Sequence, residues 1–163
     1  MKLLVKHLAT SALLGLMSVS AMAQTVGPKG EAATLSAEVT VPDDAVAAIK
    51  DANYKAALLW HDQSDFVNAV SAGATDEFKR LGIEVVATTS AGFDAAKQRS
   101  DVETAMAKEP NIILSLPLDP VTSAAAFKEA RDAGVSLVFL SNLPADYEHP
   151  RDYAAIVTDD LYQ

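Results

Sequence analysis

The sequence predicts an α/β fold: a doubly wound, parallel, five-stranded sheet with helices on both faces. Three observations carry this expectation. From Tyr54 onward, short apolar runs alternate with stretches of helical period. The runs "KAALLW", "NIILSL" and "VSLVFLS" are apolar at nearly every position, not every second one. Strands of that kind are buried on both faces, which calls for a parallel sheet with a helical layer on each side. Finally, proline, glycine and acidic caps stand where the periodic stretches begin and end. Right-handed crossovers between such strands give the doubly wound arrangement.

The elements follow in order. Gln24 to Val41 is rich in small and polar residues without a sustained period, and reads as a linker or loosely attached arm. Pro42-Asp43-Asp44 opens a short helix through about Asn53, since proline suits the first turn and acids suit its positive end. "YKAALLWH" is the first buried strand. The helix from Phe66 to Leu81 follows, with Phe66, Val67, Val70, Ala74, Phe78 and Leu81 near three/four spacing, and Gly82 ends it. "IEVVATT" is the second strand. "DAAKQRSDVETAMAKE" is the next helix, with Ala95, Val102, Ala105 and Met106 on its apolar side and Pro110 closing it. "NIILSL" is the third strand. The helix "DPVTSAAAFKEARDAG" has Asp119 as N-cap, Pro120 at its first position and Gly134 at its end. "VSLVFLS" and "YAAIVT" are strands four and five, joined by the loop "NLPADYEHPRD".

The N-terminus carries an address. Lys2 and Lys6 precede a largely apolar stretch from Leu8 to Val19, and Ala21-Met22-Ala23 is a small-x-small site before Gln24. These are the three parts of a secretory signal peptide, and the apolar stretch is short for a membrane span. The competing reading is an amphipathic or buried N-terminal helix. The expected organisation is therefore a signal peptide over 1–23, an arm with a short helix over 24–53, and one α/β lobe over 54–163. Cleavage after Ala23 in a Gram-negative bacterium delivers the product to the periplasm.

Composition narrows the chemistry. The 163 residues hold 13 Lys and Arg against 22 Asp and Glu, a net charge of −9. Nucleic-acid binding needs clustered base and is not expected. A neutral or cationic small ligand fits better. With no cysteine, disulfides, thiolate metal sites and cysteine nucleophiles are excluded. No His-x-x-x-His spacing, glycine-rich phosphate loop or Gly-x-Ser-x-Gly elbow is present, so no metal or other cofactor is expected.

In a doubly wound sheet, ligands sit beyond the carboxyl ends of the strands. Those ends read "WHDQSDF", "TTSAGFD", "LPLDP", "SNLPADY" and "TDDLYQ". The first gathers Trp60, His61, Ser64, Asp65 and Phe66 between strand and helix. Hydrogen-bonding groups beside aromatic faces suit sugars and polyols. The same residues also suit a plainer arrangement, in which Ser64 or Asp65 caps the helix while Trp60 and Phe66 pack inward. Ser141 and Asn142 end strand four and can both donate and accept, or can form an ordinary turn ahead of Pro144. An enzymatic reading, a small exported α/β hydrolase, has only His61 and Asp119 to draw on, and Asp119 suits a helix cap. The expectation is a binding protein, not an enzyme.

The segments "KAALLWHDQSDFVNAVSAGATDEFKRLGIEVV", "KQRSDVETAMAKEPNIILSLPLDP" and "DAGVSLVFLSN" behind an export signal resemble the ribose- and galactose-binding type of periplasmic substrate-binding protein. The resemblance spans about Tyr54 to Gln163. It implies the first lobe of a type I periplasmic binding protein, whose partners are a sugar, polyol or related small polar ligand and an ABC permease of the inner membrane. It implies that Phe66 is the aromatic after strand one, that Ser64 takes a polar position often held by Asn or Asp, and that Trp60 and His61 border the ligand. Where the family commonly has an Asp-Arg or Asn-Lys pair after strand four, this chain has Ser141 and Asn142. "IVTDD" resembles the first crossing strand to a second lobe, so the resemblance implies a chain cut at the hinge, with weak or no binding alone. A ligand-sensing module for a membrane kinase or chemoreceptor uses the same lobes and remains an alternative.

Overall fold

A computed structural model of the chain describes Gly27 and residues 30–158. The expected signal peptide and the segment from Asp159 onward lie outside the described residues. These residues fall into two units, divided between Ala33 and Thr34. In the first, the Gly27 N–H donates to the Glu31 carbonyl at 2.7 Å, closing a turn. Everything below concerns the second.

The five strands are β1 (Lys55–Trp60), β2 (Glu84–Ser90), β3 (Ile112–Ser115), β4 (Ser136–Leu140) and β5 (Ala155–Val157). The helices are α1 (Asp43–Ala52), α2 (Asp65–Arg80), α3 (Ala95–Met106) and α4 (Pro120–Asp132). All four strand pairings are parallel, in the order β2-β1-β3-β4-β5. The expected doubly wound sheet is present. A 3-10 turn at Ser36–Glu38 interrupts the otherwise irregular stretch before α1.

Strand period explains which helix covers which face. Successive side chains point to opposite faces. Ala57, Leu59, Ile113, Leu137 and Phe139 share one face and pack on Val102 and Ala105 of α3 and Ala126, Phe127 and Ala130 of α4. Leu58, Trp60, Leu116 and Leu140 take the other, with Val67, Val70, Ala74 and Phe78 of α2. Ala56 joins Leu81, Ile83 and Val46 and Ile49 of α1 on that second face. Phe127 and Phe139 meet edge to face at 5.2 Å in the centre of the α3/α4 layer. Each large side chain removed from water contributes about 1.5–3 kcal/mol.

Local chemistry sets the helix ends. The Ser64 hydroxyl accepts from the Val67 N–H at 3.2 Å and starts α2. Asp94 accepts from Ala96 and Lys97, and Asp119 from Val121 and Thr122, so both carboxylates cap the helices that follow them. Gly82 ends the α2 turn at φ +72°, where a Cβ would stand 2.9 Å from Lys50 Cγ of α1. Glycine is required there by backbone and neighbour alike. The loop between β4 and β5 is tied by Asp152, which accepts from the Glu148 N–H at 2.8 Å and from Arg151 at 2.7 Å. The Tyr147 hydroxyl fastens the same loop to the Ala124 carbonyl of α4 at 3.1 Å.

Candidate functional site

Parallel strands deliver every carboxyl end to one edge of the sheet. The chain steps outward from β1 to β2, then crosses back to β3 and continues to β4 and β5. The direction reverses between β1 and β3, and the crevice of such a sheet opens at that reversal. Two turns flank it, 61–64 after β1 and 116–119 after β3. The turn 91–94 after β2 adjoins the first, and the turn 141–144 after β4 adjoins the second.

The seven residues singled out from the sequence all stand on this rim, in unequal roles. Trp60 is 3 % exposed and lies under α2, its indole N–H donating to the Ser71 hydroxyl at 3.3 Å. Its parity with Ala56 and Leu58 puts it on the α2 face of the strand. Ser64 caps α2, and Asp65 opens that helix exposed to solvent. Phe66 is 44 % exposed, so of the two aromatics in "WHDQSDF" it is the one that meets water. His61 is half-buried, and its Nδ1 is buried without a hydrogen-bond partner among the described residues. Ser141 adopts φ +59° and its N–H donates to the Val157 carbonyl at 2.8 Å, tying β4 to the end of β5. Asn142 donates from its side chain to the Pro117 carbonyl at 2.9 Å, which joins the turns after β4 and β3.

Asp119 accepts hydrogen bonds from Thr122 first and from the Val121 amide after it, and these hold its carboxyl below the usual carboxylate range. It stays ionised as a cap. Two shallow grooves lie elsewhere. One of about 480 Å³ runs between α3 and α4, lined by Arg99, Glu103, Lys128 and Asp132. The other, of about 360 Å³, sits at the amino ends of the strands, lined by Tyr54, Asn111 and Ser136. The first is a groove of paired surface charges and the second is on the wrong edge, so the strand order favours the rim over both.

The sequence pattern of the periplasmic binding protein domain family matches residues 56–163. The chain belongs to that family. No curated protein matches its sequence. Solved structures do share the fold. An ABC transporter solute-binding protein from Mycobacterium smegmatis with bound glycerol is 24 % identical, with TM-score 0.56, over 64 % of this chain and 34 % of that one. The Caulobacter myo-inositol binding protein, bound to myo-inositol, is 20 % identical with TM-score 0.53, over 65 % of this chain and 34 % of its own. A fructose-binding periplasmic domain of a hybrid two component system is 16 % identical with TM-score 0.56, over 64 % and 33 %. The chain thus spans about a third of the length of each. The family is one of binding proteins and not of enzymes.

Two features of this periplasmic binding protein domain were not singled out from its sequence. Gln98 of α3 is buried, donates to the Leu116 carbonyl at 2.9 Å and accepts from the Leu118 N–H at 3.1 Å. One side-chain amide therefore holds two backbone groups of the β3–α4 turn at the crevice. Within a helix that carries Lys97, Arg99 and Asp101 beside it, a glutamine reads as surface. Phe93 follows β2 at φ +61°, 66 % exposed, with its ring edge-on to His61 at 5.3 Å. Its N–H donates to the His61 carbonyl at 2.8 Å. The only signal for it was the position of "AGFD" at a strand end.

Proposed function

We propose that this chain is the solute-binding component of an ABC import system and that it takes a sugar, polyol or similar small polar ligand at the carboxyl rim of its sheet. The observation that carries this is the reversal of strand order between β1 and β3, within a matched periplasmic binding protein domain. The rim supplies the right chemistry. Phe66 offers an apolar ring, while His61, Ser141 and Asn142 offer groups that pair with hydroxyls. Ser64 and Asp65 add oxygen acceptors at the start of α2, and Trp60 supports the strand end from beneath. A net charge of −9 disfavours anionic ligands. That structural neighbours carry bound glycerol or myo-inositol supports a polyhydroxyl ligand.

The resemblance supports a reading in which this lobe works opposite a second one, an inner-membrane permease receives the ligand, and export with cleavage after Ala23 brings the protein to the periplasm. A single face holds a ligand from one side and leaves it wet, which costs several hydrogen bonds at about 0.5–1.5 kcal/mol each. Every 1.4 kcal/mol is about tenfold in affinity. Of the weak or absent binding expected of one lobe alone, the 163-residue chain is expected to show the weak kind, in the millimolar range, and micromolar binding would overturn this. Saturation-transfer NMR with glucose, myo-inositol, fructose and glycerol tests this. Millimolar binding with transfer from rim aromatics supports it, and no transfer from any of the four refutes it. The likeness to a periplasmic domain of a two component system favours one second reading, a ligand-sensing module for a membrane kinase. Neighbouring permease and ATPase genes would decide for import.

A further inference from the structure

We infer that Phe93, braced by His61, forms the wall of the rim that selects ring-shaped polyols, pyranoses or cyclitols, over linear ones. The inference rests on the rim being the ligand site proposed above. Its starting point is a misfit. Gly92 and Phe93 follow one another at φ +60° and +61°, in a turn that glycine, asparagine or aspartate adopts readily and a bulky aromatic does not. Strain of that kind is kept where the surroundings or a function demand it. Burial does not demand it here, because the ring is 66 % exposed. What the turn does achieve is placement. The Phe93 N–H is fixed on the His61 carbonyl at 2.8 Å, and the ring meets the imidazole at 79° with centroids 5.3 Å apart.

That edge-on contact leaves a face of the phenyl ring unused and sets it beside an imidazole. The imidazole contributes an independent observation, since its Nδ1 is buried and unpartnered among the described residues. Buried polar atoms are nearly always paired, so the imidazole is left with an unmet hydrogen bond at the rim. An apolar ring face next to a half-buried imidazole matches a cyclic polyol, which has C–H bonds on one side and hydroxyls around its edge. A linear polyol presents no continuous C–H face and gains little from the ring. Phe66, at the start of α2 beside the neighbouring turn, is the second exposed aromatic of the rim.

The test uses the full chain with Phe93→Asn and Phe93→Gly, both of which suit a positive φ. Melting temperature and NMR-derived affinity for glucose, myo-inositol, glycerol and xylitol are measured together. Expected is a Tm that holds within about 3 °C or rises. Binding of glucose and myo-inositol should weaken about fivefold to tenfold, with glycerol and xylitol changing less than about twofold. A large fall in Tm would show that the ring serves the fold and would overturn the inference. So would unchanged affinity for the ring ligands, or an equal loss for the linear ones, while wild-type binding persists. Failure of the wild-type chain to bind any of the four would bring down the rim reading itself, and this inference with it.

Discussion

Asp152 shows how a single carboxylate shapes the long loop between β4 and β5. It is buried, and the Arg151 guanidinium is the main cause that holds its carboxyl below the usual value of 3.8, with the Glu148 amide and Arg131 helping. A depressed folded pKa contributes stability that is present above the unfolded value and disappears as pH falls through the folded one. The wild-type chain should therefore lose Tm on acidification below about pH 4, where Asp152→Asn, less stable at pH 7, should show a flatter profile. Thermal melts between pH 2 and 7 check this, and parallel curves would refute it. At the same scale, Trp60 is the sole tryptophan and is 3 % exposed. Its emission should be blue-shifted and weakly quenched by acrylamide. Trp60→Phe should cost about 1 kcal/mol through the lost Ser71 bond, read in urea melts.

Among the elements, α3 does more than cover the sheet. Replacing Gln98 by Ala leaves the buried Leu116 carbonyl and the part-buried Leu118 N–H without their partner. The expected loss is about 2–3 kcal/mol, or roughly 8–12 °C in Tm, with the 116–119 turn showing the largest amide shift changes. Phe127→Ala in α4 should cost about 3–5 kcal/mol, because a fully buried ring leaves a cavity against Phe139. Both the expected helices and the expected strands are found, with ends moved by one to three residues. β1, β3 and β4 were legible because burial on two faces writes itself as unbroken apolar runs. The caps Ser64 and Asp119 were legible because capping depends on neighbours two or three residues away. Gln98 and Phe93 were not. The first acts through partners 18 and 20 residues distant. The second acts through a backbone angle that side-chain identity argues against.

For the molecule as a whole, the sheet order does the organising. Sequence alone supplied five parallel strands but not their order, and the order is what selects the β1–β3 gap from five strand ends. β1 is flanked on both sides, by β2 and β3, and covered on both faces, and its residues Ala56 to Trp60 are all buried. β5 has three residues, pairs among the described residues with β4 alone, and is largely exposed. Local opening should then be graded across the sheet. Amide protons of β1 and β3 should exchange with deuterium only through complete unfolding, those of β4 somewhat sooner, and those of β5 first. The lobe would thus come undone from its far margin inward, like a cloth fraying at the hem, while the gap between its two most guarded strands keeps its shape to the end.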